Sequence, residues 1–430
     1  MVWFYAGIWG SAPAGAATLT VGVGQTYATI GDAVAVAVKD DVVEIYEGQY
    51  VEDVVVPVRL TLRGVGNPTI IATGTANHVL ELLRSATIEG LTVDGAGVAR
   101  GIETETDLVL TDVTVINGVA TPTGLGFVLF DGGGLEVRSL DATLAISGCT
   151  FVGNTANNAG GAIFADVTDL SIVDSTFEGN VAVNDGGAVV IYSPTRVEVR
   201  GSTFEDNAVT NLAPSGNGGA INLFFGPTVD GADAFEDNVF VGNTAGSGGA
   251  LAAFDFKLNK NTIVGFDVVN NLFADNGAAF DGGAVHLSST GFVQPASKAW
   301  TATFDQNSFV GNVAAGEGAV LWSGSKVKNI TVQNLIAFNQ GAPAVHRTTA
   351  LGSTDYNLYF DNAGGDLGGL AIYGPNDLVG VDPTVTAYSA DGDPTNDDLT
   401  PLPGSPLIDG GDPIQFDPDG SRADIGWLGY

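Results

Sequence analysis

The residues that could carry acid–base chemistry in this chain are few and widely spaced. A glycoside hydrolase needs two or three carboxylates held close together. Asp185 and Asp281 each precede a Gly-Gly pair, and His286 follows Asp281 closely. Because Asp before Gly-Gly is typical of turns, we expect both aspartates at turns, and we keep Asp281 and His286 as candidate catalytic residues.

Two arginines suggest a different reaction, a β-elimination, in which Lys or Arg commonly acts as the base beside acidic Ca²⁺ ligands. Arg196 and Arg200 are four residues apart, so on a strand both side chains face the same side. No acidic cluster of matching spacing accompanies them, and His78 and His346 have no obvious partners. GxSxG, HExxH and phosphate-loop motifs are absent from the sequence.

The C-terminal region contains a candidate calcium site. Asp417, Asp419 and Asp424, with Gly420 for the turn, resemble part of a calcium loop, because Ca²⁺ prefers hard oxygen ligands at alternate positions. Arg422 lies among them, so a turn closed by a salt bridge is the alternative. A second acidic cluster is expected to be a solvated loop and contains Asp391, Asp393, Asp397 and Asp398.

Charge and composition exclude several classes of function. The 430 residues include 15 Lys and Arg and 49 Asp and Glu, which gives a formal net charge of −34. Such a chain repels nucleic-acid phosphates and anionic membrane surfaces. The 61 glycines and the 15% charged residues are typical of an all-β protein with many turns. Cys149 is the only cysteine, so the sequence offers neither a disulfide nor a CxxC metal pair.

These residues are placed by a repeat that runs through the middle of the chain. An aromatic residue, two variable residues and Asn recur at steps of 26 to 36 residues. The copies begin at Phe151, Phe177, Phe204, Phe240, Phe273 and Phe309, with a seventh at Ile336. Each Phe copy is followed by Gly-Gly-Ala and an aliphatic residue, except that the last reads Glu317-Gly318-Ala319-Val320.

A repeat of this length with short strands and no helical periodicity predicts one coil of a parallel β-solenoid. Equivalent residues then stack into columns about 4.8 Å apart. We expect an inward ladder of Phe rings and a ladder of Asn side chains that bond from coil to coil. Cys149 falls in a column otherwise held by Ser and Asn, so we interpret it as a buried small residue and not a nucleophile.

The Phe-x-x-Asn and Gly-Gly-Ala motifs resemble the repeat of the chlamydial polymorphic membrane proteins and related bacterial surface proteins. The resemblance covers roughly residues 140–345. It implies an all-β, right-handed parallel β-helix of the kind found in adhesins and autotransporter passengers. The motifs are specific for this fold and say little about function.

Both ends of the chain have their own signatures. Residues 1–17 resemble a truncated signal peptide. A short amphipathic helix near residues 27–37, followed by strands, resembles the N-terminal region of pectin-lyase-like β-helices, where the helix caps the first coil. Residues 399–426 resemble the choice-of-anchor-Q module of bacterial surface proteins. We therefore predict a solenoid over 18–375 and a C-terminal module over 376–430 that packs on the last coils.

The sequence predicts a secreted or cell-surface β-helix protein without catalysis, adhesin-like or structural in role. Its partners would be extracellular glycans, surface proteins or further copies of itself, and no transmembrane segment is expected. The alternative is a polysaccharide lyase or glycoside hydrolase, since this fold hosts many of them. A cleft lined by carboxylates with shifted pKa values favours the enzyme, whereas exposed aromatic residues on a flat side favour the binder.

Overall fold

The computed structural model describes residues 16–120, 131–192, 194–225, 234–255, 265–289, 300–389 and 397–427. Over these residues the chain is a right-handed parallel β-helix, which confirms the predicted fold class. Each turn of this helix is called a coil below, and the sheets are numbered in the order in which a coil visits them. No α-helix in this part of the chain is long and apolar enough to cross a membrane.

Sheets 1 and 2 run the length of the solenoid and pair strands of successive coils in parallel. The described strands of sheet 1 are Thr18–Val21, Val42–Tyr46, Leu60–Val65, Ala86–Glu89, Leu108–Thr111, Thr143–Ser147, Asp169–Val173, Arg196–Arg200, Ala234–Glu236, Gly265–Val269, Trp300–Asp305, Val327–Val332 and Gly352–Asp355. Those of sheet 2 are Gln49–Val51, Thr69–Ile71, Thr92–Asp94, Thr114–Ile116, Thr150–Val152, Thr176–Glu178, Thr203–Glu205, Val239–Val241, Leu272–Ala274, Ser308–Val310, Leu335–Ala337, Leu358–Phe360 and Leu378–Val379.

Sheets 3 and 4 complete each coil, and sheet 3 consists of two-residue strands. The described strands of sheet 3 are Val119–Ala120, Thr155–Ala156, Val181–Ala182, Ala208–Val209, Thr244–Ala245, Gly277–Ala278, Val313–Ala314 and Gln340–Gly341. Those of sheet 4 are Val54–Val56, His78–Leu82, Arg100–Thr104, Leu135–Arg138, Ile163–Asp166, Val189–Tyr192, Ile221–Phe225, Leu251–Asp255, Val285–Ser289, Leu321–Ser323, Val345–Arg347 and Leu367–Gly369.

The predicted aromatic ladder fills the interior behind sheet 2. The six Phe rings are at most 1% exposed, and successive ring centroids are 4.7 to 5.1 Å apart with planes within 12° of parallel. This spacing matches the separation of neighbouring strands. The apolar column of sheet 1 lies in the same interior and is buried from Ile146 to Phe304.

The predicted amide ladder is continuous from Asn154 to Asn362. At each step the backbone N–H and the side-chain amide of one Asn both donate to the Oδ1 of the next, as between Asn243 and Asn276, at 3.1 and 3.0 Å. The remaining amide hydrogen of Asn243 is donated to the carbonyl of Phe204, 2.9 Å away. The members from Asn154 to Asn339 are fully buried, so the ladder satisfies corner groups that water cannot reach.

A second ladder runs through the column that contains Cys149. Its backbone N–H donates to Ser175 Oγ at 3.1 Å, and the pattern continues through Ser202 into a run of buried asparagines that ends at Asp377. Cys149 is 1% exposed, and burial raises the pKa of its thiol to about 11. The thiol is therefore protonated at neutral pH and inaccessible, which is a structural environment.

The Gly-Gly pairs form the corner that leads into sheet 4. The first glycine of each pair has a left-handed backbone, as at Gly186 with φ of 54°. A Cβ on the second glycine, as at Gly187, would collide with the carbonyl of the second glycine in the next coil. Both positions therefore require glycine, for different reasons.

The corner between sheets 1 and 2 also has a left-handed residue in each coil, and here Gly and Asp alternate. The series from one coil to the next is Gly90, Asp112, Gly148, Asp174, Gly201 and Asp237, with φ between 49° and 63°. A Cβ at Gly148 or Gly201 would collide with the carboxylate of the aspartate one coil earlier. The Asp side chain therefore occupies the space above the next glycine.

The two ends of the solenoid are covered differently. At the N-terminal end the α-helix Ile30–Val36 begins at Thr29, whose Oγ1 accepts from the N–H of Asp32, and the helix buries Ile30, Ala33 and Val34. At the C-terminal end, parallel pairing continues to Val379, past the predicted boundary at residue 375. An antiparallel pair of strands, Val385–Ala387 and Asp398–Pro401, follows.

The C-terminal residues pack on the outer face of sheet 2. Leu407 and Ile425 are fully buried against Val310, Leu335 and Leu358. Gln333 anchors the segment, because its Nε2 donates to Gln415 and its Oε1 accepts from the N–H of Asp412. The outward side chains of sheet 2 change accordingly. At the first position of each strand they are Thr in six successive coils from Thr69 to Thr203 and mostly aliphatic from Val239 onward.

Candidate functional site

The outer face of sheet 4 differs from the other faces because charged and aromatic side chains cluster on it. Its first strands carry an ion-pair network that contains His78, Glu81, Arg100, Glu103, Asp131, Glu136 and Arg138. His78 lies 3.3 Å from Glu81 and 3.6 Å from Glu103, two partners that the sequence did not make obvious. The contact with Glu103 raises the pKa of His78 and lowers that of Glu103.

Arg100 and Arg138 extend this network toward the middle of the solenoid. Arg100 pairs with Glu103 and Glu136, and its Nε donates to the carbonyl of Gly132 at 2.9 Å. Arg138 pairs with Glu136 and with Asp131, whose side chain is fully buried. Burial raises the pKa of Glu136 even though both arginines oppose the shift.

An aromatic column continues the face from the point where the ion pairs end. The guanidinium of Arg138 lies 4.4 Å from the centroid of the Phe164 ring. From there the rings follow one another at centroid distances of 4.5 to 5.7 Å through Phe164, Tyr192, Phe224, Phe254, His286 and Trp322. Phe164, Phe224 and His286 are only 5 to 8% exposed, so these rings present no more than an edge to the outside.

Three carboxylates surround Tyr192 at the start of this column. Asp131 accepts from Asn158 Nδ2 and from the N–H of Ala159, and Asp185 accepts from Asn217 and Asn222. Asp185 forms isolated parallel bridges to Ala159 and Asn217 at the corner before its Gly-Gly pair. Burial raises the pKa of Asp185 to about 6. It also raises that of Asp166, one oxygen of which is buried without a hydrogen bond.

Tyr192 responds to the same environment. Burial raises the pKa of its hydroxyl to about 12, and the negative charge of the three carboxylates acts in the same direction. The hydroxyl therefore remains a hydrogen-bond donor at any physiological pH. A group of carboxylates around a neutral phenol can bind hydroxyl-rich ligands or exchange a proton with them.

The predicted pair Asp281 and His286 lies at the far end of the column. Asp281 Oδ1 accepts from the N–H of Glu317 at 2.8 Å, and burial raises the pKa of Asp281. Burial lowers the pKa of His286 to about 4, so its imidazole is neutral. His286 stacks on Trp322 at 4.5 Å and has an Nδ1 without a hydrogen bond.

Two further side chains join this group across coils. Glu317 Oε2 accepts from Trp322 Nε1 at 3.2 Å and lies 3.1 Å from His346 Nε2. His346 therefore has a carboxylate partner that the sequence did not make obvious. Sequence spacing alone did not indicate this contact, because residues 317 and 346 belong to successive coils.

The other predicted arginines belong to a different face. Arg196 and Arg200 both point outward from sheet 1 and share a side, as their spacing predicts. Arg196 pairs with Glu198 at 2.8 Å, and Arg200 pairs with Glu236 at 2.5 Å. Two glutamates thus accompany the arginines, one of them from the next coil. Because they lie on sheet 1, the two arginines are on a different face from the carboxylates and rings of sheet 4.

Two of the three candidate calcium ligands accept hydrogen bonds within the C-terminal segment. Asp419 accepts from the N–H and hydroxyl of Ser421, and Asp424 accepts from the N–H of Asp409 at 2.6 Å. Burial and the nearby Asp424 raise the pKa of Asp417. No three His, Cys, Asp or Glu side chains are arranged to hold a metal anywhere in the described ranges.

Arg422, the residue of the alternative salt bridge, bonds to the backbone. Its Nε donates to the carbonyl of Gly411 at 2.6 Å, and it has no ion pair among the described residues. In the second acidic cluster, Asp391 and Asp393 lie outside the described residues. Asp397 accepts from the N–H of Ser389 at 2.7 Å, and Asp398 is exposed.

Comparison with known proteins supports the architecture. The Chlamydia polymorphic membrane protein repeat matches residues 148–166, a stretch that contains one Phe-x-x-Asn and one Gly-Gly-Ala motif. The match covers a single repeat and indicates the fold of a β-helix surface protein. No curated protein matches the chain.

Three solved structures illustrate how distant the similar folds are. A pectin methylesterase from Aspergillus niger is 13% identical, with 90% of this chain and 94% of that chain covered and a TM-score of 0.29. A polysaccharide lyase from Pseudopedobacter saltans is 11% identical over 97% and 100%, with a TM-score of 0.39. A pectate lyase is 13% identical over 96% of each chain, with a TM-score of 0.38. These TM-scores are too low to transfer an activity.

Proposed function

We propose that the chain is a surface-exposed saccharide-binding β-helix whose binding side is the outer face of sheet 4. The observation that carries this proposal is the continuity of that face. Ion pairs, three carboxylates, an aromatic column and the Glu317–His346 pair follow one another from His78 to His346. Ten strands at about 4.8 Å give a length of roughly 43 Å, which suits a chain-like ligand.

The groups on this face match the hydroxyls of a sugar. Partly exposed carboxylates and amides such as Asp166, Asp185 and Asn158 can bond hydroxyl groups, while the ring edges offer apolar contact to the sugar C–H groups. The net charge of −34 repels polyanions. The face is therefore proposed to prefer an uncharged polysaccharide. Secretion, cell-surface location and an adhesin-like role belong to the same proposal.

A glycan array followed by calorimetric titration, with and without Ca²⁺, tests this function. Tyr192→Ala opens the acidic end of the column, and Thr176→Ala on the outer face of sheet 2 is the matched control. We expect Tyr192→Ala to weaken binding of an uncharged glycan at least tenfold and Thr176→Ala to leave it unchanged. Equal effects of the two substitutions, or binding to protein partners alone, would refute the proposal.

Glycoside hydrolysis is the second candidate, favoured by the raised pKa of Asp185. Asp131 and Asp185 occupy the same corner two coils apart, so their backbones are roughly 10 Å apart. Asp185 would then be the general acid and Asp131 the general base of an inverting mechanism. New reducing ends that disappear with Asp185→Asn would establish it, and binding without product release would exclude it.

A further inference from the structure

A groove at the corner between sheets 4 and 1, near the N-terminal end, has a charge opposite to that of the molecule. Its volume is about 330 Å³, and its lining residues are Lys39, Pro57, Val58, Arg59, Arg84 and Ser85. Three of the 15 cationic residues in the chain line this one groove, and no carboxylate lines it. The volume is at the lower end of the range for ligand pockets.

Among the described residues, two of the three cations of this groove lack the ion pairs that five arginines make elsewhere on the solenoid. Arg63, Arg100, Arg138, Arg196 and Arg200 each pair with at least one carboxylate. Within the described ranges, neither Lys39 nor Arg84 has a carboxylate within 4.0 Å. Arg84 donates to the carbonyl of its neighbour Leu83, at 2.6 Å. Arg59 uses its Nε for Asp40, at 2.5 Å, which leaves its terminal amino groups for other contacts.

We propose that this groove binds a sulfate or phosphate ester carried on a sugar ring. Three cations suit a tetrahedral oxyanion, which presents three terminal oxygens, better than a planar carboxylate, which presents two. Pro57 and Val58 supply an apolar surface against which the C–H face of the ring can pack. The groove lies apart from the aromatic column, so this site goes beyond the proposed binding face and does not depend on it.

The surrounding charges limit the affinity without removing the site. Asp40 pairs with Arg59, and Asp107 accepts from Ser85 at 3.4 Å, so two carboxylates stand beside the groove. The remaining negative charge of the molecule acts from further away and is screened over about 8 Å at physiological ionic strength. We therefore expect ester binding to weaken as the salt concentration rises. The dependence on salt should be steeper the more cations contact the ester.

The test is a titration of the full chain with glucose 6-sulfate, glucose 6-phosphate, glucuronate and glucose. We expect both esters to bind, with glucuronate weaker and glucose weakest. The stronger ester identifies which of the two the site prefers. Arg84→Gln and Lys39→Gln should each weaken ester binding about tenfold, as expected for loss of one charge-assisted hydrogen bond. The control is Lys328→Gln, which removes an exposed cation of sheet 1 and has the same net charge.

Several results would overturn this site. One is that Lys328→Gln weakens ester binding as much as Arg84→Gln does. Others are that glucose binds as tightly as the esters, or that a tetraglutamate peptide binds more tightly than they do. The last is that neither ester binds at concentrations up to about 10 mM. Circular dichroism of each variant establishes that it is folded, which is expected because Lys39 and Arg84 are exposed. Tyr192→Ala should leave ester binding unchanged, so the failure of one proposal can be distinguished from the failure of the other.

Discussion

Replacing Asn243 by alanine tests the amide ladder at its centre. Asn243 is fully buried. Its side chain donates to Phe204 and Asn276 and accepts from the N–H and the amide of Asn207. Alanine leaves the Phe204 carbonyl and two donors of Asn207 without these partners. Since a stranded buried group costs about 1–3 kcal/mol, three of them cost roughly 3–9 kcal/mol.

Removal of the amide also has a favourable part, because a buried polar group is no longer desolvated. The cost of the lost hydrogen bonds is larger than this gain, because every hydrogen-bonding group of the Asn243 amide is satisfied in the folded chain. Its partners also cannot rearrange between two stacked coils. The control is Asn270→Ala. Asn270 is on the surface, and its amide donates to Asp237 at 2.7 Å. Its φ of 53° disfavours alanine, so the substitution should cost about 1 kcal/mol, mostly from the backbone.

Urea unfolding followed by Trp fluorescence measures the two costs, and hydrogen exchange of residues 203–212 locates the damage. Asn243→Asp adds a pH dependence. Burial raises the pKa of the new carboxyl in the folded state, so the variant should be least stable at neutral pH and recover as pH falls through that value. Equal unfolding midpoints for Asn243→Ala and Asn270→Ala would refute the reasoning about the ladder.

Two further substitutions probe the corners. Gly201→Ala should cost about 2–4 kcal/mol in urea unfolding, because its φ of 59° disfavours alanine and the new Cβ meets Asp174; Gly179→Ala shares a φ of 58° but meets nothing within 4 Å, and should cost about 1 kcal/mol. Asp185→Asn keeps the acceptor for Asn217 and removes a carboxyl whose folded pKa lies near 6, above its usual 3.8. That ionised carboxyl destabilises the fold increasingly from pH 4 to pH 6. Asp185→Asn should therefore raise the free energy of unfolding by at most about 3 kcal/mol at pH 7 and leave it unchanged at pH 3. A stabilisation at pH 3 would contradict the explanation for Asp185. Equal costs for Gly201→Ala and Gly179→Ala would contradict the explanation for the corner.

The sequence predicted the features that repeat. Phe151, Asn154 and the Gly-Gly pairs recur once per coil, so their period revealed both ladders and the coil itself. The helix near residues 27–37 was expected from its amphipathic pattern and spans Ile30–Val36. These elements are local or periodic, and both properties can be read from one chain.

The binding face could not be predicted in the same way. His346 and Glu317 meet because two coils stack, and neither residue recurs at a fixed spacing. The aromatic column left a weak signal, since Tyr192, Phe224 and Phe254 each follow the second glycine of their Gly-Gly pair by five residues. That signal was missed because these residues face outward, whereas the motifs singled out were those of the interior and the corners.

Because Gly and Asp alternate at the corner between sheets 1 and 2, neighbouring coils are not interchangeable. Removal of the coil that contains Gly148 would place Asp112 directly beneath Asp174. Two carboxylates would then share a space that now holds one, at a strand spacing of about 4.8 Å. Loss of two successive coils would restore the order. In this part of the solenoid, the segment that recombination or design can insert, delete or exchange without penalty is therefore a pair of coils.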